Sequence, residues 1–351
     1  MVIMVLIALA AAGCGGGASS ASDILNAAAH KMDAAKSSHT DIDFNVSLTG
    51  DKQQVMRNNP SLGQLLPMNI GISAQADIDA RDTTNVKLKI HDLKFTGLDK
   101  LAQKIGSANG SSAAESAVMG GIINQFASGM EFSFLKDTFY LKFAGTWYRM
   151  TSSDVPGAGD FSCAVQQLFS GSNMTNEFSN LKNVQQLPDE AVDGVSTRHI
   201  KAELDADRAM TQTNSGGSAL QRCGFSGTGT NTTGDSGSVT GTSTGASAAI
   251  NSALKSELDS LQLEFWIDGD NTLRQMKLSG DMDLGQLSGI AGDKSASSLK
   301  MAISATAKYS ALGQNVDFSA PRNALSFKEL LNGLGSSLGS GAAGVGGGAS
   351  T

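Results

Sequence analysis

Apolar and polar residues alternate with a period of two along much of the chain, most regularly in the stretch 261–284, LQLEFWIDGDNTLRQMKLSGDMDL. Leu261, Leu263, Phe265 and Ile267 fall on one side of its first arm, and Gln262, Glu264, Trp266 and Asp268 on the other. Met276, Leu278, Met282 and Leu284 share one side of the return arm, opposed to Gln275, Lys277, Ser279, Asp281 and Asp283. Between the arms stands Asp268-Gly269-Asp270-Asn271. Gly and Asn accept positive φ and short acids bond back to their own backbone, so the stretch predicts a β-hairpin. Strands with one oily and one wet face belong to an antiparallel sheet solvated on one side.

The same period recurs upstream in Ile42, Phe44, Val46 and Leu48, and, after a loop around Pro60 and Pro67, in Ile70, Ile72, Ala74, Ala76 and Ile78. Val86, Leu88 and Ile90 mark a third strand. Three consecutive strands without a long helix between them predict a meander rather than βαβ units. Phe132 and Phe134, then Phe139, Leu141 and Phe143 beyond a Lys136-Asp137 turn, resume the pattern, with Trp147 to Met150 after Gly145. A turn at Asp193-Gly194 leads into a strand ending near Asp205. Leu299, Met301, Ile303, Ala305 and Ala307 make a late strand, and Val316 and Phe318 are expected to end the sheet before Pro321.

Helical spacing appears in six places. Residues 22–37 carry Ile24, Leu25, Ala28, Met32 and Ala35 on one stripe, with Ser22 as the expected cap. Residues 97–129 hold a short helix with Leu98, Leu101 and Ile105, then a second with Val118, Met119, Ile122, Ile123 and Phe126 on one side. Gly120-Gly121 weakens that second helix by about 1 kcal/mol per glycine relative to alanine. An apolar, loosened helix is a candidate lid; a core helix packed on the sheet is the alternative. Further helices are expected at 160–170, 173–180, 248–258 and 325–334. Residues 224–247 have almost no apolar content and cannot offset their ordering entropy, which predicts a disordered insertion. The expected organisation is one domain over 23–334 and a disordered Gly/Ser/Ala tail over 335–351.

Composition removes several function classes. The 351 residues are 40% apolar and 17% charged, enough for a sizeable core, while 41 glycines against 5 prolines indicate linker. The formal charge of −7 and the lack of a Lys/Arg cluster argue against nucleic acid and against attraction to anionic headgroups. Met is abundant for a chain so poor in aromatics, 13 residues against an aromatic content of 5%, and it suits adaptable apolar surfaces. His30, His39, His91 and His199 are scattered, and no Walker A, G-x-S-x-G, H-E-x-x-H or EF-hand motif occurs. The pairs Asp41/Asp43, Asp77/Asp79 and Asp281/Asp283 have strand spacing and read as a solvated sheet surface. No catalytic residue, metal site or cofactor is therefore expected, and the chain is not read as an enzyme.

Residues 1–13, MVIMVLIALAAAG, are apolar, too short to span a membrane, and placed like the core of a signal peptide. Ala11-Ala12-Gly13-Cys14 resembles a bacterial lipobox, in which small residues precede the cysteine that is acylated. It departs from that pattern in having Ala where Leu is usual and no basic residues ahead of the apolar run, so the native start is expected upstream. An ordinary secretory signal with an unrelated cysteine is the competing reading. Residues 14–22 form a flexible tether. After export, Cys163 and Cys223 are read as a structural disulfide rather than free thiols, since neither has redox or zinc spacing.

The lipobox, the run ILNAAAHKMDAAKSSHT into DIDFNVSLTG, then EAVDGVSTRHIKAELD, EFWIDGDNTLRQMKLSG and YSALGQNVDFSAP together resemble the actinobacterial LppX/LprA/LprF/LprG lipoprotein family, within the LolA/LolB-like group. These segments cover about half the chain, and the helical segment 97–129 and the insertion 206–258 depart from the family pattern. The resemblance implies an α+β fold: a strongly curved antiparallel sheet, or half-open β-barrel, with helices covering a concave apolar face. It implies a lipid-anchored, extracytoplasmic envelope protein that binds and carries acyl chains, such as palmitate, of lipid or lipoglycan. Its expected partners are that ligand, the membrane, and an export transporter. The expected lining is Phe132, Phe134, Leu141, Phe143, Met276, Leu278, Met301 and Ile303, with Val118, Met119, Ile122, Ile123 and Phe126 as the cover. The alternative is an anchored sensor or assembly module with a packed core and no lipid cargo.

Acylation of Cys14 has a direct test. Two or three acyl chains give stable anchoring at roughly 0.8 kcal/mol per buried CH₂, so Cys14→Ser should move the protein from the membrane pellet to the soluble fraction. Continued pelleting of the variant would place the anchor elsewhere.

Overall fold

Two antiparallel meanders meet at one seam to make a single unclosed, curved sheet. The computed structural model describes residues 19–58, 60–82, 86–97, 129–135, 138–151, 154, 174–209, 252, 255–285 and 298–333. The first meander is β1 (Ser37–Thr49), β2 (Met68–Asp79), β3 (Lys87–Thr96), β4 (Met130–Leu135), β5 (Thr138–Phe143) and β6 (Thr146–Thr151). The second is β7 (Leu181–Val192), β8 (Val195–Leu204), β9 (Gln262–Asp268), β10 (Leu273–Asp283) and β11 (Lys300–Ser310). The seam is β1 against β11, antiparallel over eleven paired positions from His39↔Ser310 to Thr49↔Lys300. A two-residue strand, β12 (Leu325–Ser326), adds in parallel to β6, giving the order β12-β6-β5-β4-β3-β2-β1-β11-β10-β9-β8-β7. The expected α+β class and curved antiparallel sheet are what the chain forms.

Helices sit at both ends of the apolar face. α1 (Ala21–Ala35) buries Ile24, Leu25, Ala28 and Ala29 against Ile200 and Ala202 of β8, Phe265 and Ile267 of β9, and Leu273 of β10. Its cap is Ser20, not Ser22: Asp23 N–H donates to Ser20 Oγ and Ser20 N–H to Asp23 Oδ2, both at 3.1 Å. This capping box needs the acid three residues after the cap, which sets the start of the helix. α4 (Met174–Ser179; α2 and α3 follow below) turns Phe178 edge-on to Phe265, with ring centroids 4.9 Å apart. The expected loop around Pro60 is instead two short helices, α2 (Lys52–Asn58) and α3 (Pro60–Leu65). Asp51 caps the first through Gln53 N and Gln54 N, and Pro60 opens the second, where its missing N–H is not needed. Val55 and Leu66 there pack on Leu48 and Leu299.

Three further features differ from the sequence expectations. β7 was not anticipated, because LKNVQQLPDEAV is polar and contains Pro188; it is tolerated as an edge strand, where the proline breaks no ladder. Val316 and Phe318 lie in irregular chain after β11, and the last sheet strand is β12, followed by a helix over 327–333. Trp266 and Asp268, assigned to the wet side of the hairpin, are 5% and 4% exposed. Trp266 is covered by neighbouring side chains of β7 and β8, and Asp268 by its own turn.

That turn is organised by one carboxylate. Asp268 Oδ1 accepts from Asp270 N–H at 3.0 Å and Thr272 N–H at 2.8 Å, and Oδ2 accepts from Arg274 Nε at 2.8 Å. Arg198 of β8 donates to the Asp268 carbonyl and to Asn271 Oδ1, fastening the turn to the next strand. Burial pushes the Asp268 carboxyl up, but the Thr272 and Asp270 amides and Arg274 outweigh it and hold the group below 3.8. A depressed carboxylate stabilises the fold above its unfolded pKa and loses that contribution as pH falls through the lower folded value. Asp268→Ala should cost about 3 kcal/mol in urea unfolding at neutral pH, since two amides and a guanidinium lose their acceptor. The gap to wild type should narrow under acid, and a gap independent of pH would contradict this account.

Candidate functional site

Side chains of directly paired strand residues point to the same face, so the register reads out the apolar surface row by row. One row runs Ala202–Leu263–Leu278–Ala305–Phe44–Ile72–Phe95 across seven strands without a polar interruption. The neighbouring row runs Ile200–Phe265–Met276–Ala307–Ile42–Ala74. The first meander extends the face with Ala76–Ile90–Phe132–Leu141–Tyr148 and Ile78–Leu88–Phe134–Phe139–Met150.

All eight described lining candidates lie on this face. Met276 and Leu278 are in the first two rows, Phe132, Phe134 and Leu141 in the extension, and Phe143 shares the parity of Leu141 on β5. Met301 pairs with Leu48 and Met282, and Ile303 with Val46 and Gly280. Phe134 is buried, and Phe132 packs on Phe139 at a centroid distance of 5.4 Å. The cover candidates Val118, Met119, Ile122, Ile123 and Phe126 lie outside the described residues, as do Cys14, Cys163 and Cys223.

Burial along the face is uneven. Phe265, Ile200 and Leu273 under α1 are fully buried. Leu48 is closed off by Val55 and Leu66 at the other end. Between these ends Phe44, Ile72, Leu278, Ala305 and Ala307 are half-buried. Phe44, Ile72, Ala305 and Ala307 were legible in the sequence as strand positions but not as parts of a site. Their importance comes from β1 pairing with β11, which no local pattern announces. Tyr309, also on this face, has its phenol pushed up to about 12 by burial, so its hydroxyl remains a protonated donor at neutral pH.

The opposite face carries the titratable groups. Asp77 of β2 bridges two histidines, with His39 Nδ1 at 2.7 Å from Oδ1 and His91 Nε2 at 2.9 Å from Oδ2. Burial pushes this carboxyl up, but the bonds and charges of His39 and His91 outweigh it, leaving it below the usual carboxylate range. Asp79 is buried and paired with Arg81, its Oδ2 2.7 Å from Nη2, so Asp77 and Asp79 are not the solvated pair their spacing suggested. His199 stacks on Trp266 at 4.4 Å, lies 3.0 Å from Glu264 Oε2, and Trp266 Nε1 donates to Glu190 Oε2 at 2.9 Å.

The described bonds of His39, His91 and His199 run to carboxylates, while His30 Nδ1 lies 3.3 Å from Thr175 Oγ1 on the exposed surface, a hydroxyl that also donates to Asp33 Oδ2 at 2.7 Å. Among the described residues no group of three or more His, Cys, Asp or Glu side chains has metal-holding geometry, and no helix is long and apolar enough to cross a membrane. What the arrangement can do is hold apolar matter: one broad apolar face, backed by a polar face on which Asp77, Asp79 and His199 are held by close partners.

No family model and no curated protein sequence matches the chain. Among solved structures it is similar to LprF from Mycobacterium bovis, at 15% identity and a TM-score of 0.40, over 86% of this chain and 96% of that one. It is similar to the Mycobacterium tuberculosis lipoprotein LppX, at 13% identity and a TM-score of 0.36, over 85% of this chain and 98% of that one. A LolA superfamily protein from Nitrosomonas europaea follows, at 10% identity and a TM-score of 0.20, over 86% and 96%. The likeness in each case is one of fold.

Proposed function

We propose that this protein binds lipid or lipoglycan acyl chains against the apolar face of its sheet and carries them in the cell envelope. The observation that carries this reading is a trough along β11. Ala305 stands between Leu278 and Phe44, and Ala307 between Met276 and Ile42, all half-buried. Two side chains of a single methyl, flanked on both sides by long apolar ones and bounded along the strand by Ile303 and Tyr309, leave a short apolar depression. Its shape suits an alkyl chain, and every methylene taken from water into it contributes about 0.8 kcal/mol. Met276 borders it, Met282 and Met301 pair further along the same face, and such side chains adapt to chains of different branching.

The remaining parts of the reading follow from the sequence. Acylated Cys14 holds the protein on the extracytoplasmic side of a bacterial membrane, with residues 1–13 as its signal. The segment Val118–Phe126 covers the depression, and a Cys163–Cys223 bridge pins the insertion at 224–247 to the fold. Donor and acceptor are membranes or an export transporter, and the role is one of binding rather than catalysis.

Mass spectrometry of organic extracts from natively purified protein should find acylated lipid at a fixed ratio to protein. Ala305→Trp should fill the trough and reduce that lipid several-fold while the unfolding midpoint stays near wild type. In a dry, filled core the same substitution would cost about 1–3 kcal/mol of stability. That result, with no lipid in the wild-type extract, would reject the carrier and favour an anchored sensor or assembly module.

A further inference from the structure

The described residues outline an open cavity of about 590 Å³, rimmed by the exposed side chains of Asn45, Asn69, Thr96, Gln262 and Asp281, and it is not on the apolar face. Its lining comes from two successive rows of the polar face. One is Thr96–Gly71–Asn45–Ser304–Ser279–Gln262, and the other is Asn69–Ser47–Ala302–Asp281. The row between them, Ile70–Val46–Ile303–Gly280, presents its side chains to the opposite face and forms the floor through its backbone.

The cavity is built by side-chain length. Across β2, β1, β11 and β10 short side chains at Gly71, Ser47, Ala302, Ser304 and Ser279 lie among the longer Asn69, Asn45 and Asp281, while Thr96 and Gln262 stand at the two rims. Gly71 is required for this shape, since a Cβ there would collide with Thr96 Oγ1 and Asn45 Oδ1. The chemistry changes at the same place. The next row along the face, Lys94–Ser73–Asp43–Thr306–Lys277–Glu264–Lys201, is rich in charge of both signs. In the cavity, amides and hydroxyls replace those charges, and among the described residues Asp281 is the one ionisable lining residue. Among the described residues, the side chains of Asn45, Asn69, Thr96, Gln262, Ser279 and Ser304 hydrogen-bond to no other protein group.

From this set we infer a second binding site, on the opposite face from the lipid trough, for a neutral polyhydroxylated ligand of the oligosaccharide class. Amides and hydroxyls both donate and accept, which matches the paired donor and acceptor character of each sugar hydroxyl. The absence of Lys and Arg from the lining, with a carboxylate present, disfavours phosphate and other anions. A single carboxylate is a poor cage for a hard cation, which takes several oxygen ligands including more than one acid. Asp281 instead accepts from two adjacent hydroxyls, the strongest polar contact the site can make with a neutral ligand. The volume lies within the range of about 300–1,000 Å³ usual for small-molecule sites.

The test is titration of the full chain with cellotetraose and with α-(1→6)-linked mannotetraose, followed by backbone amide chemical shifts. Saturable shifts with at least one of them, confined to β1, β2, β10 and β11 around the cavity, are expected. Asn45→Leu and Ser304→Leu, made separately so that one folded variant suffices, should weaken that binding at least about tenfold, equivalent to about 1.4 kcal/mol. Ser304→Thr, which keeps the hydroxyl, should bind within a few-fold of wild type. Lipid recovered in organic extracts should be unchanged in both leucine variants, which separates this site from the trough. No saturable shift with either tetrasaccharide, equal affinity in the folded leucine variants, or the same shifts produced by inorganic phosphate would overturn the assignment.

Discussion

Register between β1 and β11 is the constraint on which the rest of the molecule depends. Phe44 faces Ala305 and Val46 faces Ile303. A slip of one residue would set Phe44 against Ser304 or Thr306 and turn one meander's apolar side to water, because side chains alternate with a period of two. This seam joins strands far apart in the chain, whereas the other antiparallel pairs join consecutive strands. Bringing 37–49 and 300–310 together costs loop-closure entropy, which eleven paired positions and two continuous apolar rows offset.

The seam also explains why both depressions lie over the same strand. β11, KMAISATAKYS, carries Ala305 and Ala307 on the apolar side and Ala302 and Ser304 on the polar side. It is thin on both faces where its neighbours β1 and β10 carry Phe44, Asn45, Met276 and Leu278. A run of small residues in the middle of β11 thus lowers the surface on both faces of a wide sheet, and the polar cavity lies over one of them. The edges serve a different end. β7 carries Pro188, Asp189 and Glu190 with a register shift beside them, and β12 is two residues long, so neither edge invites another strand.

Several carboxylates of the described residues are held by close partners. Asp77 is held by two histidines, Asp268 by two amides and Arg274, and Asp259 by Lys182 and Lys255, which take its carboxyl down to about 2. His199 and Trp266 stack under Glu190, so a Trp on the solvated side of a strand is nonetheless buried. Burial of such groups requires partners, and these come from adjacent strands for Asp77, from its own turn and β10 for Asp268, and from β7 and its own helix for Asp259.

The period of two was legible in the sequence and determined the strand faces, the hairpin at 261–284, the first meander and the α+β class, because alternation is a local property of the backbone. The eight lining candidates within the described residues all fall on one face for that reason. The capping box at Ser20 was also present locally, yet the helix start was set too late by choosing the nearer serine. β7 and the short helices α2 and α3 escaped because polar edge strands and single-turn helices carry little periodicity. Only the tertiary structure decided that Phe44 meets Ala305, that Trp266 is covered by His199 and Glu190, and that Asn45, Ser304 and Asp281 line one polar cavity. These depend on which strands become neighbours, and that choice is made by the free energy of the whole sheet, not by any segment's own pattern.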